Sequence, residues 1–105
     1  MKQIDYYRTK AGKEPFRDWL MSLEPQTRLR ILGYIDRVAL GAGRKNIKPV
    51  GGGVFEIKID HGPGYRAYFG QDGNTVIILL VGGDKGSQFR DIRQAQEYWR
   101  DYETK

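Results

Sequence analysis

Cysteine is absent from this chain, histidine occurs once, and no apolar run approaches membrane-spanning length. Without thiols there is neither a disulfide nor a thiolate nucleophile, which suits a reducing, cytoplasmic compartment. One histidine and scattered carboxylates make no ligand set for a transition metal and no Ser-His-Asp triad, so neither a metal nor another cofactor is expected. The opening Lys2-Gln3-Ile4-Asp5-Tyr6-Tyr7 lacks the apolar stretch of a signal peptide. The longest apolar run, Val76 to Val81, falls far short of the ~20 residues a membrane helix needs, so no membrane partner is expected.

Phosphate-binding glycine motifs are missing too. Gly62-Pro63-Gly64 links two strands, where a dinucleotide fingerprint must lead from strand to helix. The segment Gly82-Gly83-Asp84-Lys85-Gly86-Ser87 lacks the spacing of a P-loop.

What is present is positive charge, unevenly spread, in a chain whose 105 residues suit a single domain over 1–105. Residues 1–50 carry eleven Lys/Arg against five Asp/Glu, and residues 51–105 carry seven against eight. A basic half raises the local concentration of an anionic polymer, although solvated helix faces account for it equally well.

The most informative stretch runs from Val54 to Gly70. Phe55, Ile57 and Ile59 alternate with Glu56, Lys58 and Asp60, and Tyr65, Ala67 and Phe69 alternate with Arg66 and Tyr68. Both runs have the period of a strand with one buried face, and His61-Gly62-Pro63-Gly64 turns one back on the other. Putting both apolar sets on one side demands a register such as Ile57 opposite Ala67, because a one-residue slip would flip a strand. Lys58 then falls opposite or diagonal to Arg66, a repulsion of roughly 0.2–1 kcal/mol. An anion between them would relieve it; so would Glu56 and Asp60.

Around this hairpin, Ile4, Tyr6 and Tyr7 favour a short first strand. Pro15 opens a helix with Phe16, Trp19, Leu20 and Leu23 on one stripe, ending near Glu24. Pro25 opens a second, with Leu29, Leu32, Ile35, Val38 and Ala39 as its buried stripe and Gly41 and Gly43 ending it. The short linker implies an antiparallel helix hairpin. Residues 44–53, with Lys48 and a glycine run, predict a basic loop, either a mobile lip over a ligand or a plain connection. Thr75 to Val81 is apolar throughout, so it belongs inside the sheet with cover on both faces. A last helix from Gln88 or Asp91 to Tyr102, with Ile92, Ala95, Trp99 and Tyr102 in register, can provide the second cover. The expected architecture is α+β, in the order β-α-α-β-β-β-α, with a helix hairpin on a curved, mainly antiparallel four-stranded sheet.

Such a chain would have to do chemistry with lysine, arginine and tyrosine. Cleavage of RNA by its own 2′-hydroxyl needs a proton acceptor, stabilisation of a dianionic phosphorane and a donor for the leaving 5′-oxygen. Arginine suits the phosphorane because it is planar, permanently charged and donates two bonds at once. A lysine crowded by other cations loses basicity, so a neutral fraction is available as a base.

On these residues the chain resembles the RelE/ParE superfamily of type II toxins, specifically its addiction module killer branch near the HigB-like toxins. The resemblance spans nearly the whole chain. It is carried by Gly53-Val54-Phe55-Glu56-Ile57-Lys58-Ile59, by Gly62-Pro63-Gly64-Tyr65-Arg66-Ala67-Tyr68-Phe69, and by Leu80-Val81-Gly82-Gly83-Asp84-Lys85 with Gln88 and Ile92 beyond. It implies a ribosome-dependent messenger RNA endonuclease, silenced by an antitoxin that also carries it to operator DNA. By position, Lys58 would be the base, Arg66 the phosphate stabiliser and Lys85 the basic group after the last strand. Glu56 stands where such enzymes have a second lysine and is an alternative base. Phe89-Arg90 replaces the usual terminal tyrosine. Lys48, His61, Tyr65, Tyr68 and Arg90 are the candidate RNA contacts. Two other functions fit the same fold: a ParE-like gyrase poison without RNA chemistry, and a non-toxic remnant that binds only its antitoxin and, through it, operator DNA.

Overall fold

A computed structural model describes residues 2–74 and 76–105. Three helices and a five-stranded mixed open sheet follow the order β1 (Gln3–Tyr6), α1 (Pro15–Met21), α2 (Pro25–Ala39), β2 (Ile47–Gly51), β3 (Val54–Ile59), β4 (Tyr65–Asp72), β5 (Val76–Asp84) and α3 (Gln88–Glu103). Across the sheet the strands run β1-β5-β4-β3-β2; β1 lies parallel to β5, and the remaining neighbours are antiparallel. Thr75, expected at the start of β5, lies outside the described residues.

The register between β3 and β4 is the one the alternation demanded. Ile57 faces Ala67 and Lys58 faces Arg66 directly. On that side of the sheet Ile57, Ile59, Ala67, Phe69, Ile77 and Leu79 pack against Phe16 and Leu20 of α1 and Ile31, Ile35 and Val38 of α2. On the other side Val54, Tyr68, Ile78 and Leu80 pack under Ala95 and Trp99 of α3. The continuous apolar run of β5 therefore feeds both cores, as expected.

Three expectations need correction. The sheet has five strands, because Ile47–Gly51 pairs with β3. Its side chains show no apolar alternation, and Pro49 is tolerated because β2 is an edge strand. The glycine run after it is no lip. Gly51, Gly52 and Gly53 all take positive φ in a tight turn, and Gln96 of α3 donates to the Val50 carbonyl at 3.1 Å. In α2, Leu29 is 70% exposed while Ile31 is fully buried, so the stripe passes through Ile31, Ile35 and Val38.

Candidate active site

The alternation of β3 and β4 suggested a solvated second face, yet part of it is buried. Glu56 is 2% exposed and Arg66 8%. The cause is α3, whose first turn returns over the end of the sheet. Gln88 donates to Glu56 Oε2 at 3.0 Å, while Lys48 Nζ and Arg66 Nε stand 3.9 and 3.7 Å from Oε1. A carboxylate this deep needs such partners, since an isolated charge in a dry interior costs several kcal/mol. Lys48, expected in a loop, is on β2 directly opposite Glu56, with its own side chain largely in water.

Arg66 is the unusual member. Its Nε is buried without a hydrogen-bond partner among the described residues, and Glu56 is beyond hydrogen-bond reach of it. The Tyr68 hydroxyl is buried in the same condition. Burial, then the negative charge of Glu56 and Asp91, raises the Tyr68 phenol well above its ordinary range, while Arg66 pulls weakly the other way. Tyr68 is 0% exposed, so its ring is not available to stack on a base; that expected contact is corrected.

Beyond Arg66 the sheet opens into a groove of about 450 Å³ lined by Lys58, Asp60, His61, Gly62, Pro63, Gly64, Arg66 and Lys85. Three cations from three segments thus border one hollow. Two features fix its walls: the Lys85 amide donates to the Gly64 carbonyl at 3.1 Å, and the His61 ring stacks on Tyr65 with centroids 6.5 Å apart. Tyr65 in turn meets Trp19 edge-on at 6.1 Å. Lys58 is mostly in water, 4.0 Å from Asp60, so no tight ion pair consumes its charge. Glu56 and Lys48 do not border the groove, and Arg90 belongs to a neighbouring hollow.

The hollow thus brings together a largely buried guanidinium and two exposed ammonium groups, a set whose chemistry suits an anion. Residues 18–98 match the family model described as phage-derived protein Gp49-like (DUF891). An uncharacterized protein of Haemophilus influenzae is 40% identical over 82 residues, covering 77% of this chain and 82% of that protein.

The chain belongs to the Gp49-like family. That family lies within the RelE/Gp49 toxin-like superfamily, and its members are often toxins of toxin–antitoxin modules. An antitoxin partner is consistent with this membership. Among the described residues no helix is long and apolar enough to cross a membrane. What sequence reasoning missed in this family member is the buried layer beneath the groove. Asp91 is 7% exposed and accepts a hydrogen bond from Ser87. Its signal was an acidic residue in the first turn of α3, which ordinarily only complements the helix dipole.

Proposed function

We propose that the protein is the toxin of a type II toxin–antitoxin module, of the HigB-like kind. In this reading it cleaves messenger RNA on the ribosome through the RNA's own 2′-hydroxyl, and a cognate antitoxin holds it inactive. The observation that supports this most is the groove in which Arg66, Lys58 and Lys85, drawn from three segments, border one hollow. A scissile phosphodiester fits such a hollow, since its non-bridging oxygens accept from a planar guanidinium and from ammonium groups.

The roles follow from the groove. Lys58 is assigned to accept the 2′-hydroxyl proton as the 2′-oxygen attacks phosphorus. Arg66 binds the oxygens on which negative charge grows. Lys85 gives a proton to the 5′-oxygen as its bond to phosphorus breaks. The products are a 2′,3′-cyclic phosphate and a 5′-hydroxyl, and the steps assigned call on no metal. Glu56 is a positioning residue that fixes Arg66 from below, which removes the need to make it the base. His61 and Tyr65 offer ring faces along the RNA path, and Lys48 and Arg90 contribute charge at its margins.

Expression of wild type beside Arg66→Lys tests this. The expected result is growth arrest with cleaved transcripts from wild type and neither from the variant, because lysine keeps the charge and loses the fork. Chromosome breaks with intact transcripts would identify a gyrase poison instead. Absence of toxicity from wild type would identify a remnant that only binds its antitoxin.

A further inference from the structure

We infer that Gln88 is a positioning residue for the cleavage reaction: its side chain bridges over β4 to Glu56 and so sets Arg66 and Lys85 in one fixed relation to each other. This rests on the nuclease reading above, which assigns those two cations to the phosphate and to the leaving oxygen.

The segment that carries Lys85 leaves β5 at Asp84 and enters α3 at Gln88. It is stiffened from within. The Asp84 carboxylate accepts from the Gly86 and Ser87 amides at 2.8 and 3.2 Å, and the Ser87 hydroxyl donates to Asp91. Two hydrogen bonds then tie it to the hairpin that carries Arg66. On one side the Lys85 amide donates to the carbonyl of Gly64, just ahead of Arg66, at 3.1 Å. On the other, Gln88 Nε2 donates to Glu56 Oε2 at 3.0 Å. Gln88 follows β5 and Glu56 lies on β3, so this second bond passes across β4, the strand of Arg66.

Gly83 makes that crossing possible. It sits directly opposite Arg66, and a Cβ there would run into Ser87 and Asp91. Any larger residue would lift the first turn of α3 off the sheet and take Gln88 out of reach of Glu56.

The bond matters because of what the carboxylate does when it is lost. Glu56 is 2% exposed, and a carboxylate that deep must be held by donors. With Gln88 on Oε2, Oε1 stands 3.7 Å from Arg66 Nε, near enough to attract the guanidinium and too far to hydrogen-bond it. Without the amide, Glu56 is free to turn towards Arg66, and a two-pronged pair would occupy the fork that the phosphate needs. Gln88 itself is half-buried and borders neither the groove nor the neighbouring hollow, so it acts through Glu56 and not on RNA.

The test is a double-substitution cycle with two readouts. Gln88→Met keeps the length of the side chain and removes the donor, and Gln88→Leu repeats the removal with different packing. With translating ribosomes, either should lower the maximal rate of messenger cleavage by about 10- to 100-fold, the scale of a small misplacement of a catalytic group. The half-saturating ribosome concentration should not change. On a Glu56→Met background, itself slower than wild type, neither should lower the rate further. The second readout needs no activity: the Arg66 Nε–H signal in a nitrogen–proton spectrum, assigned by its loss in Arg66→Lys. It should stand apart from the signals of the exposed arginines in wild type and move towards them in Gln88→Met, with the backbone amide pattern retained. An equal loss of rate with Glu56 present and absent, a rise in the half-saturating concentration alone, or an Arg66 signal that stays in place would each overturn the inference. If wild type cuts transcripts and Gln88→Met cuts them as fast, the inference falls and the nuclease reading stands. If wild type cuts none, the nuclease reading falls, and the Arg66 signal alone decides whether Gln88 positions the arginine.

Discussion

Helix α3 covers the sheet from one end to the other, and its two ends treat polar side chains in opposite ways. Towards its C-terminus two tyrosine hydroxyls find carboxylate partners. The Tyr102 hydroxyl donates to Asp72 at 2.7 Å, the Tyr7 hydroxyl donates to Asp101, and Trp99 stacks on Tyr102 at 5.1 Å. Towards its N-terminus Arg66 Nε and the Tyr68 hydroxyl are buried without a hydrogen-bond partner among the described residues. A buried donor left unpaired costs about 1–3 kcal/mol. One helix packed on one sheet thus builds a satisfied, stabilising end and an unsatisfied end. Arg66 itself borders the groove proposed for an anion, which is where a cost to stability is most readily explained by function.

The contrast is tested most severely by apolar truncation against polar replacement. Phe16 is fully buried, stacks on Tyr6 and meets Trp19 at a tilt. Phe16→Ala should lower the unfolding free energy by about 3–5 kcal/mol in urea; a loss under 1 kcal/mol would mean that the α1–α2 side carries little of the stability.

At the N-terminal end of α3 the opposite sign is expected. Replacing Glu56 and Arg66 together by methionine should leave stability unchanged or raise it by about 1–4 kcal/mol, because a desolvated ion pair is often no better than apolar packing. Function should be lost. A strong destabilisation of the double variant would make the pair a structural device and remove the contrast.

Smaller effects sharpen it at the other end. Gly70 lies against the face of Trp99, where an added Cβ would collide with the ring. Gly70→Ala should cost about 1–3 kcal/mol by overpacking, measurable as a lower urea midpoint with an unchanged slope. Least of all, Tyr102→Phe should cost about 0.5–1.5 kcal/mol at neutral pH. The hydrogen bond to Asp72, then burial, pushes the Tyr102 pKa up to about 12. A raised tyrosine pKa means that the folded state holds the proton more tightly. Its contribution is complete below the unfolded value near 10 and is lost as pH rises to about 12. Wild type and variant should therefore converge in melting temperature across that window, and parallel curves would deny the bond a role.

Much of this was legible in residue order. The even register of Ile57 with Ala67 followed from keeping two apolar faces on one side, and it carried Lys58 opposite Arg66. The double burial of β5 followed from its unbroken apolar run. β2 was not legible, because an edge strand held by backbone bonds needs no apolar alternation, and Lys48-Pro49 looks like loop. Nor was the depth of Glu56, Arg66 and Tyr68. Alternation marks them as one face of a hairpin, but only tertiary packing brings Gln88 and Asp91 of α3 down upon that face. The α2 stripe went astray at Leu29 because Leu29 and Ile31 are both apolar, and composition cannot choose between neighbouring faces of one helix.

The central claim is that the Arg66 guanidinium, with Lys58 and Lys85, holds the phosphodiester being cut. The most direct measurement uses purified protein with translating ribosomes, following the rate of messenger cleavage and the chemistry of the new 3′ ends for wild type and Arg66→Lys. The account predicts 2′,3′-cyclic phosphate ends from wild type and a rate at least about 100-fold lower from the variant at unchanged melting temperature. Cleavage at the wild-type rate by a folded Arg66→Lys protein would contradict it.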